Sequence, residues 1–97
     1  MYMPVSYDGP VEDYKKLLNG VQLWDVGVER QVQIKGPDAE ELSQFLTPRN
    51  IKKCAIGQAM YTPLVDFKGG LINDPVMLKI DEDCYWFSVS DGDLLLW

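Results

Sequence analysis

Apolar residues recur at helical spacing over residues 11–18, VEDYKKLL, where Val11, Tyr14, Leu17 and Leu18 fall at i, i+3, i+6 and i+7. Such spacing stacks side chains on one face, so the segment predicts an amphipathic helix that packs by that face and closes at Asn19 and Gly20. The pattern then shortens to a period of two. Residues 21–26 and 31–35 are strand candidates, the second alternating so that Val32 and Ile34 face inward. Gly36 ends it, and Pro37 suits the first position of a helix running through AEELSQFL, with Leu42, Phe45 and Leu46 as its buried stripe. Thr47 and Pro48 stop that helix.

Alternation returns in residues 58–67, although Pro63 marks an edge or a bulge there because proline cannot donate to a ladder. Lys68, Gly69 and Gly70 form a hairpin turn into a returning strand over residues 71–80. Asp81, Glu82 and Asp83 make the next turn, and residues 84–90 the last strand. The order of elements predicts an α+β fold with a mostly antiparallel sheet and helices on one face. Residues 1–10, MYMPVSYDGP, show no period and read as an extended arm. At the other end, SDGDLLLW reads as a helix N-cap, Ser90 or Asp91, followed by one apolar turn.

Composition narrows the function classes. A chain of 97 residues with 46% apolar content holds one small core. Fifteen acidic side chains against nine basic ones give a net charge of −6, which repels nucleic-acid phosphates and anionic membranes. No apolar run reaches the roughly 20 residues that span a bilayer, and the first ten residues carry no leader pattern, so the expected compartment is the cytoplasm. Cys54 and Cys84 have neither a second pair nor a histidine with which to build a zinc site, and both are expected as reduced thiols. Trp24 and Trp86 are expected to serve the core, as large aromatics do in small domains.

Candidate chemistry gathers around Asp74. The run GGLINDPVML at residues 69–78 sets a buried-looking carboxylate at a turn that opens a strand, and Pro75 holds the Asp74 backbone near the extended region. Asn, Asp and Pro also dominate ordinary turns for local reasons, so the spacing alone leaves a purely structural role open. Met60 and Tyr61, on pattern alone, belong to packing.

Four motifs in order, WDV at 24–26, KGPDA at 35–39, LTPRNI at 46–51 and GGLINDPV at 69–76, resemble the folate-binding N-terminal region of the glycine-cleavage T-proteins, the aminomethyltransferases. The resemblance runs from about residue 23 to 97, and its NDPV and DLLLW variants are nearest to the dimethylsulfoniopropionate demethylase branch. It implies a one-carbon transferase that uses tetrahydrofolate as acceptor and a small-molecule one-carbon donor, with a folate pocket through a three-domain ring. Residues 1–97 would be a single partial domain of that ring. In the family a glycine-pair motif ends in two acids, the second of which lies against the folate; that position is Asp74. The resemblance also implies that Met60 and Tyr61 line the pocket, together with Val89, Ser90 and Asp91 at the end of the last strand. Two positions depart from the family: Asn73 replaces the first acid, and Val28 and Glu29 stand where T-proteins carry a His-Met pair. The choice between an aminomethyl and a methyl donor stays open.

The apolar cluster Leu94, Leu95, Leu96 and Trp97 leads to the expectation that the chain is the N-terminal piece of a larger protein, inactive alone because later segments supply the rest of the site. A non-catalytic module that forms homo-oligomers through this exposed apolar end is the alternative expectation.

Overall fold

The computed structural model describes residues 4–97 apart from Asp25, Val28 and Asp91. The elements are α1 (Pro10–Asn19), β1 (Gln31–Lys35), α2 (Ala39–Phe45), a 3₁₀ turn (Ile51–Lys53), β2 (Ala59–Tyr61), β3 (Leu64–Val65), β4 (Leu71–Asn73), β5 (Val76–Asp81) and β6 (Cys84–Ser88). Four strands form an antiparallel sheet in the order β1-β6-β5-β2, and β3 pairs with β4 in a second, two-stranded sheet. Helix α2 packs on one face of the larger sheet, against β6 and β1. The expected α+β class and antiparallel pairing are therefore observed.

The core lies between α2, the 3₁₀ turn and that sheet face: Ala39, Ile51, Cys54, Leu64, Met77, Tyr85, Phe87 and Val89 are buried, with Val32, Ile34, Leu46 and Met60 packed against them. Strand β1 has the expected bounds and inward pair. Cys54 and Cys84 are buried free thiols.

Helix α2 docks by a different stripe from the expected one. Its fully covered residues are Ala39 and Ser43, one turn apart, whereas Leu42 and Phe45 are largely exposed. Small side chains let the helix backbone approach the sheet closely, and Leu46 completes the contact at the C-terminal end. Pro37 lies in the turn before the helix rather than at its first position, with Asp38 at the N-cap. Trp24 and Trp86 are exposed as well; the aromatic core is Tyr85 and Phe87.

The long hairpin that the sequence predicts as two continuous strands is broken once on each side. Thr62 and Pro63 separate β2 from β3, and Asp74 and Pro75 separate β4 from β5. Pro63 and Pro75 each remove a backbone donor, so the ladder lapses there and the ribbon turns away into the second sheet. One hydrogen bond bridges the gap, from Thr62 N to Pro75 O at 2.9 Å. The displaced part is tied to the end of α2 by Val65 N to Leu46 O at 3.2 Å and Thr47 Oγ1 to Pro63 O at 2.7 Å. Its tip is the expected glycine turn: Gly69 has φ +81°, and the Asp66 carboxylate accepts from the backbone N–H groups of Lys68 and Gly70, each at 2.8 Å.

Helix α1 forms where expected but buries none of its residues, and Val11, Tyr14 and Leu18 are more than half exposed. Its face is amphipathic without a partner among the described residues, because periodicity fixes which side chains share a face and not what meets them. From Pro4 onward the preceding arm folds back onto α1. Tyr7 N and Asp8 N donate to the Asp13 carboxylate, and Lys16 pairs with Asp8. That clamp on two backbone N–H groups holds the Asp13 carboxyl below its ordinary range. The described residues of 21–26 form no strand, and Asp25 lies outside them. At the C-terminal end one turn starts at Asp93, whose carbonyl accepts from Leu96 N and Trp97 N. Ser90 is not its cap.

Candidate functional site

Burial alternates without a break from Asn73 to Lys79: Asn73, Pro75, Met77 and Lys79 are buried, while Asp74 and Val76 are exposed and Leu78 half-buried. The same alternation runs along Tyr85, Phe87 and Val89 on the buried side and Trp86, Ser88 and Ser90 on the other. The sheet thus has one face against α2 and one face open. Asp74 stands on the open face, so the buried position expected for it is corrected; the residue buried there is Asn73, 7% exposed. Period two assigns neighbours to opposite faces, and the sheet decides which is which.

Register then brings distant residues together. Strands β5 and β6 pair Val76 with Ser88 at the end of their ladder, and just past that last pair Asp74 and Ser90 meet through their side chains. Ser90 Oγ donates to Asp74 Oδ1 at 3.2 Å, and Ser90 N donates to Asn73 Oδ1 at 3.2 Å. On the other side Tyr61, half exposed, pairs with Val76. Two rows cross the open face, Gln31–Ser88–Val76–Tyr61 and Gln33–Trp86–Leu78–Ala59. Gln31 Nε2 donates to Ser88 Oγ at 3.2 Å and Trp86 Nε1 to Gln33 Oε1 at 2.8 Å.

The six residues singled out from sequence therefore divide. Asp74, Ser90 and Tyr61 share the open face. Val89 is buried in the core, and Met60 is partly buried and packed against it. Asp91 lies outside the described residues, as does Val28. Asn73, Trp86, Gln33, Ser88 and Gln31 were not singled out as site residues; the polar outward positions Gln31 and Gln33 in an alternating strand were the signal for part of this face.

The buried face holds a separate ionic cluster. Lys79 Nζ lies 3.0 Å from Glu82 Oε2 and 3.9 Å from Glu40 Oε2, and 5.7 Å above the Tyr85 ring. Tyr85 Oη donates to Glu40 Oε2 at 3.2 Å, and Lys52 approaches the same carboxylate at 3.8 Å. The Glu82 hydrogen bond raises the Lys79 pKa, and burial raises that of Tyr85. All its charges are paired, so this cluster reads as structural. Among the described residues no group of acids and thiols is placed to hold a metal ion, and no helix is long and apolar enough to cross a membrane.

Comparison with known proteins gives a consistent picture. The GCVT N-terminal domain pattern matches residues 1–94. Dimethylsulfoniopropionate demethylase from Ruegeria pomeroyi is 46% identical over 95 residues, 98% of this chain and 26% of that protein. An aminomethyltransferase from Bdellovibrio bacteriovorus is 35% identical over 82 residues, 84% of this chain and 23% of that protein. The crystal structure of the glycine cleavage system aminomethyltransferase T from Bartonella henselae superposes with a TM-score of 0.66 at 21% identity, over 74% of this chain and 20% of that one, which establishes the fold. The chain spans about a quarter of the length of the curated relatives it matches. Its sequence pattern and its fold agree: the chain belongs to the family of the GCVT N-terminal domain.

Proposed function

We propose that this chain supplies one wall of the site of a tetrahydrofolate-dependent one-carbon transferase, with methyl transfer from a sulfonium such as dimethylsulfoniopropionate as the favoured reaction. The observation that carries this reading is the Asp74 carboxylate held by Ser90 on an open face floored with Tyr61, Val76, Leu78 and Trp86. Identity of 46% to a demethylase, against 30% and 35% to aminomethyltransferases, favours the methyl donor. The residues present fit a folate: a flat ring system needs an apolar surface on which to lie, and its N–H groups need an acceptor at the edge. When bound, tetrahydrofolate supplies the ring nitrogen that accepts the one-carbon unit.

The chain's own residues hold and orient. Tyr61 and Trp86 offer flat apolar area, and Asp74 places one negative charge where positive charge moves from donor to acceptor. Alignment of reacting groups is worth about 7–11 kcal/mol of a barrier, and a fixed carboxylate acts more strongly once water is excluded. Asn73 in place of the family's first acid leaves one charge at this point, and displacement at a sulfonium requires no second carboxylate. The two buried thiols agree with a reducing, cytoplasmic setting.

The test joins residues 1–97 to the C-terminal three quarters of the Ruegeria pomeroyi demethylase and measures methylation of tetrahydrofolate by dimethylsulfoniopropionate. Asp74→Asn should lower kcat by about a hundredfold or more. Activity kept within about threefold would remove Asp74 from the mechanism.

A second reading, a self-associating module, draws on Leu95, Leu96 and Trp97, all more than half exposed. Light scattering on the 97-residue chain decides it: a monomer at high concentration rejects the module.

A further inference from the structure

A carboxylate that must face a reacting group needs a fixed direction, and an exposed aspartate has several rotamers of similar energy. Asp74 and Asn73, consecutive residues on opposite faces of the strand, both bind the same partner. Ser90 Oγ donates to Asp74 Oδ1, and Ser90 N donates to Asn73 Oδ1, each at 3.2 Å. The partner lies 16 residues from Asp74 in sequence and meets it just past the last β5/β6 pair, Val76 with Ser88.

We infer that Ser90 is the positioning residue of the site: the buried Asn73 amide fixes the Ser90 backbone, and the Ser90 hydroxyl in turn fixes the Asp74 carboxylate on the open sheet face. This rests on the one-carbon reading for its use, not for its geometry. The arrangement also accounts for the amide at position 73. An aspartate there could accept the same N–H, but it would put a negative charge into the buried face, where a charge costs far more than a neutral amide. Asparagine gives the acceptor without the charge.

Two measurements test the inference. The first uses the 97-residue chain and reads the Asp74 χ1 by three-bond NMR couplings and the Ser90 amide by hydrogen exchange. The native chain should show one Asp74 rotamer. Ser90→Ala should average it, Ser90→Thr should restore it, and Asn73→Ala should speed Ser90 amide exchange by about tenfold. A single rotamer retained in Ser90→Ala overturns the inference.

The second uses the joined enzyme described above. Ser90→Ala should lower kcat by about tenfold with KM moved less than about twofold, and Ser90→Thr should recover most of the loss. Unchanged kcat in Ser90→Ala, in an enzyme that Asp74→Asn cripples, overturns the positioning role. If Asp74→Asn itself has no effect, the one-carbon reading fails, while the NMR measurement still decides whether Ser90 fixes the carboxylate.

Discussion

Replacing Phe45 and Phe87 by alanine, one at a time, separates the helix docking seen in the structure from the docking that periodicity suggests. Phe87 is 1% exposed. A buried phenylalanine removes about 200 Å² from water, worth roughly 5 kcal/mol at about 25 cal/mol per Å², in line with the approximately 3–5 kcal/mol that Phe→Ala costs in cores. Phe45 is 69% exposed, so only about 60 Å² is covered, worth roughly 1.5 kcal/mol. That figure includes its edge-on contact with Phe67, at 6.1 Å between ring centroids. Urea unfolding of the 97-residue chain, followed by tryptophan fluorescence, should show a stability gap of about 1.5–3.5 kcal/mol between the two variants, with Phe87→Ala the worse. Against a total of about 5–15 kcal/mol for a domain of this size, such a gap is easily read. Equal losses would mean that α2 docks by Leu42 and Phe45 after all, and that Ala39 and Ser43 are not its contact stripe.

Ser43 Oγ is fully buried with no hydrogen-bond partner among the described residues, so Ser43→Ala should leave stability unchanged or raise it by about 1 kcal/mol in thermal melts; a loss of more than that would reveal a partner for the hydroxyl. Beside Lys16, whose pKa the Asp8 carboxylate raises, the alkaline limb of stability should come in part from Lys79 and Tyr85. Both have folded pKa values raised above their unfolded values near about 10, so the folded state binds more protons there, and the stabilisation present below that pH is lost as pH rises through the folded pKa values. Lys79→Met should flatten the limb above about pH 10, and an unaltered slope would contradict the assignment. At the N-terminal end Asp13→Asn should speed amide exchange at Tyr7 and Asp8, because its carboxylate accepts both N–H groups. In the native chain the same protection, governed by a lowered pKa, should persist above about pH 4 and fade below it as the carboxylate takes up a proton. Protection factors, taken relative to intrinsic exchange, that ignore pH there would exclude the clamp.

Local chemistry decided much of this protein before any tertiary contact. The alternation at Gln31–Lys35 gave strand β1 to the residue, because period two is legible within five positions. The glycine pair at 69–70 marked the hairpin tip and Pro63 marked its interruption, since φ freedom and a missing donor are properties of single residues. Four short motifs in order pointed to the family to which the chain belongs. Tertiary structure decided which faces are covered. Periodicity grouped Leu42 with Phe45, yet the sheet accepted Ala39 and Ser43, because closeness of approach rather than hydrophobicity governed that contact. It left α1 uncovered for the same reason: an apolar stripe states what could be buried, not against what. Alternation could not say whether Asp74 or Asn73 faces outward, and nothing local links Asp74 to Ser90. That pairing exists only through the register of two strands, a long-range property that short motifs do not carry.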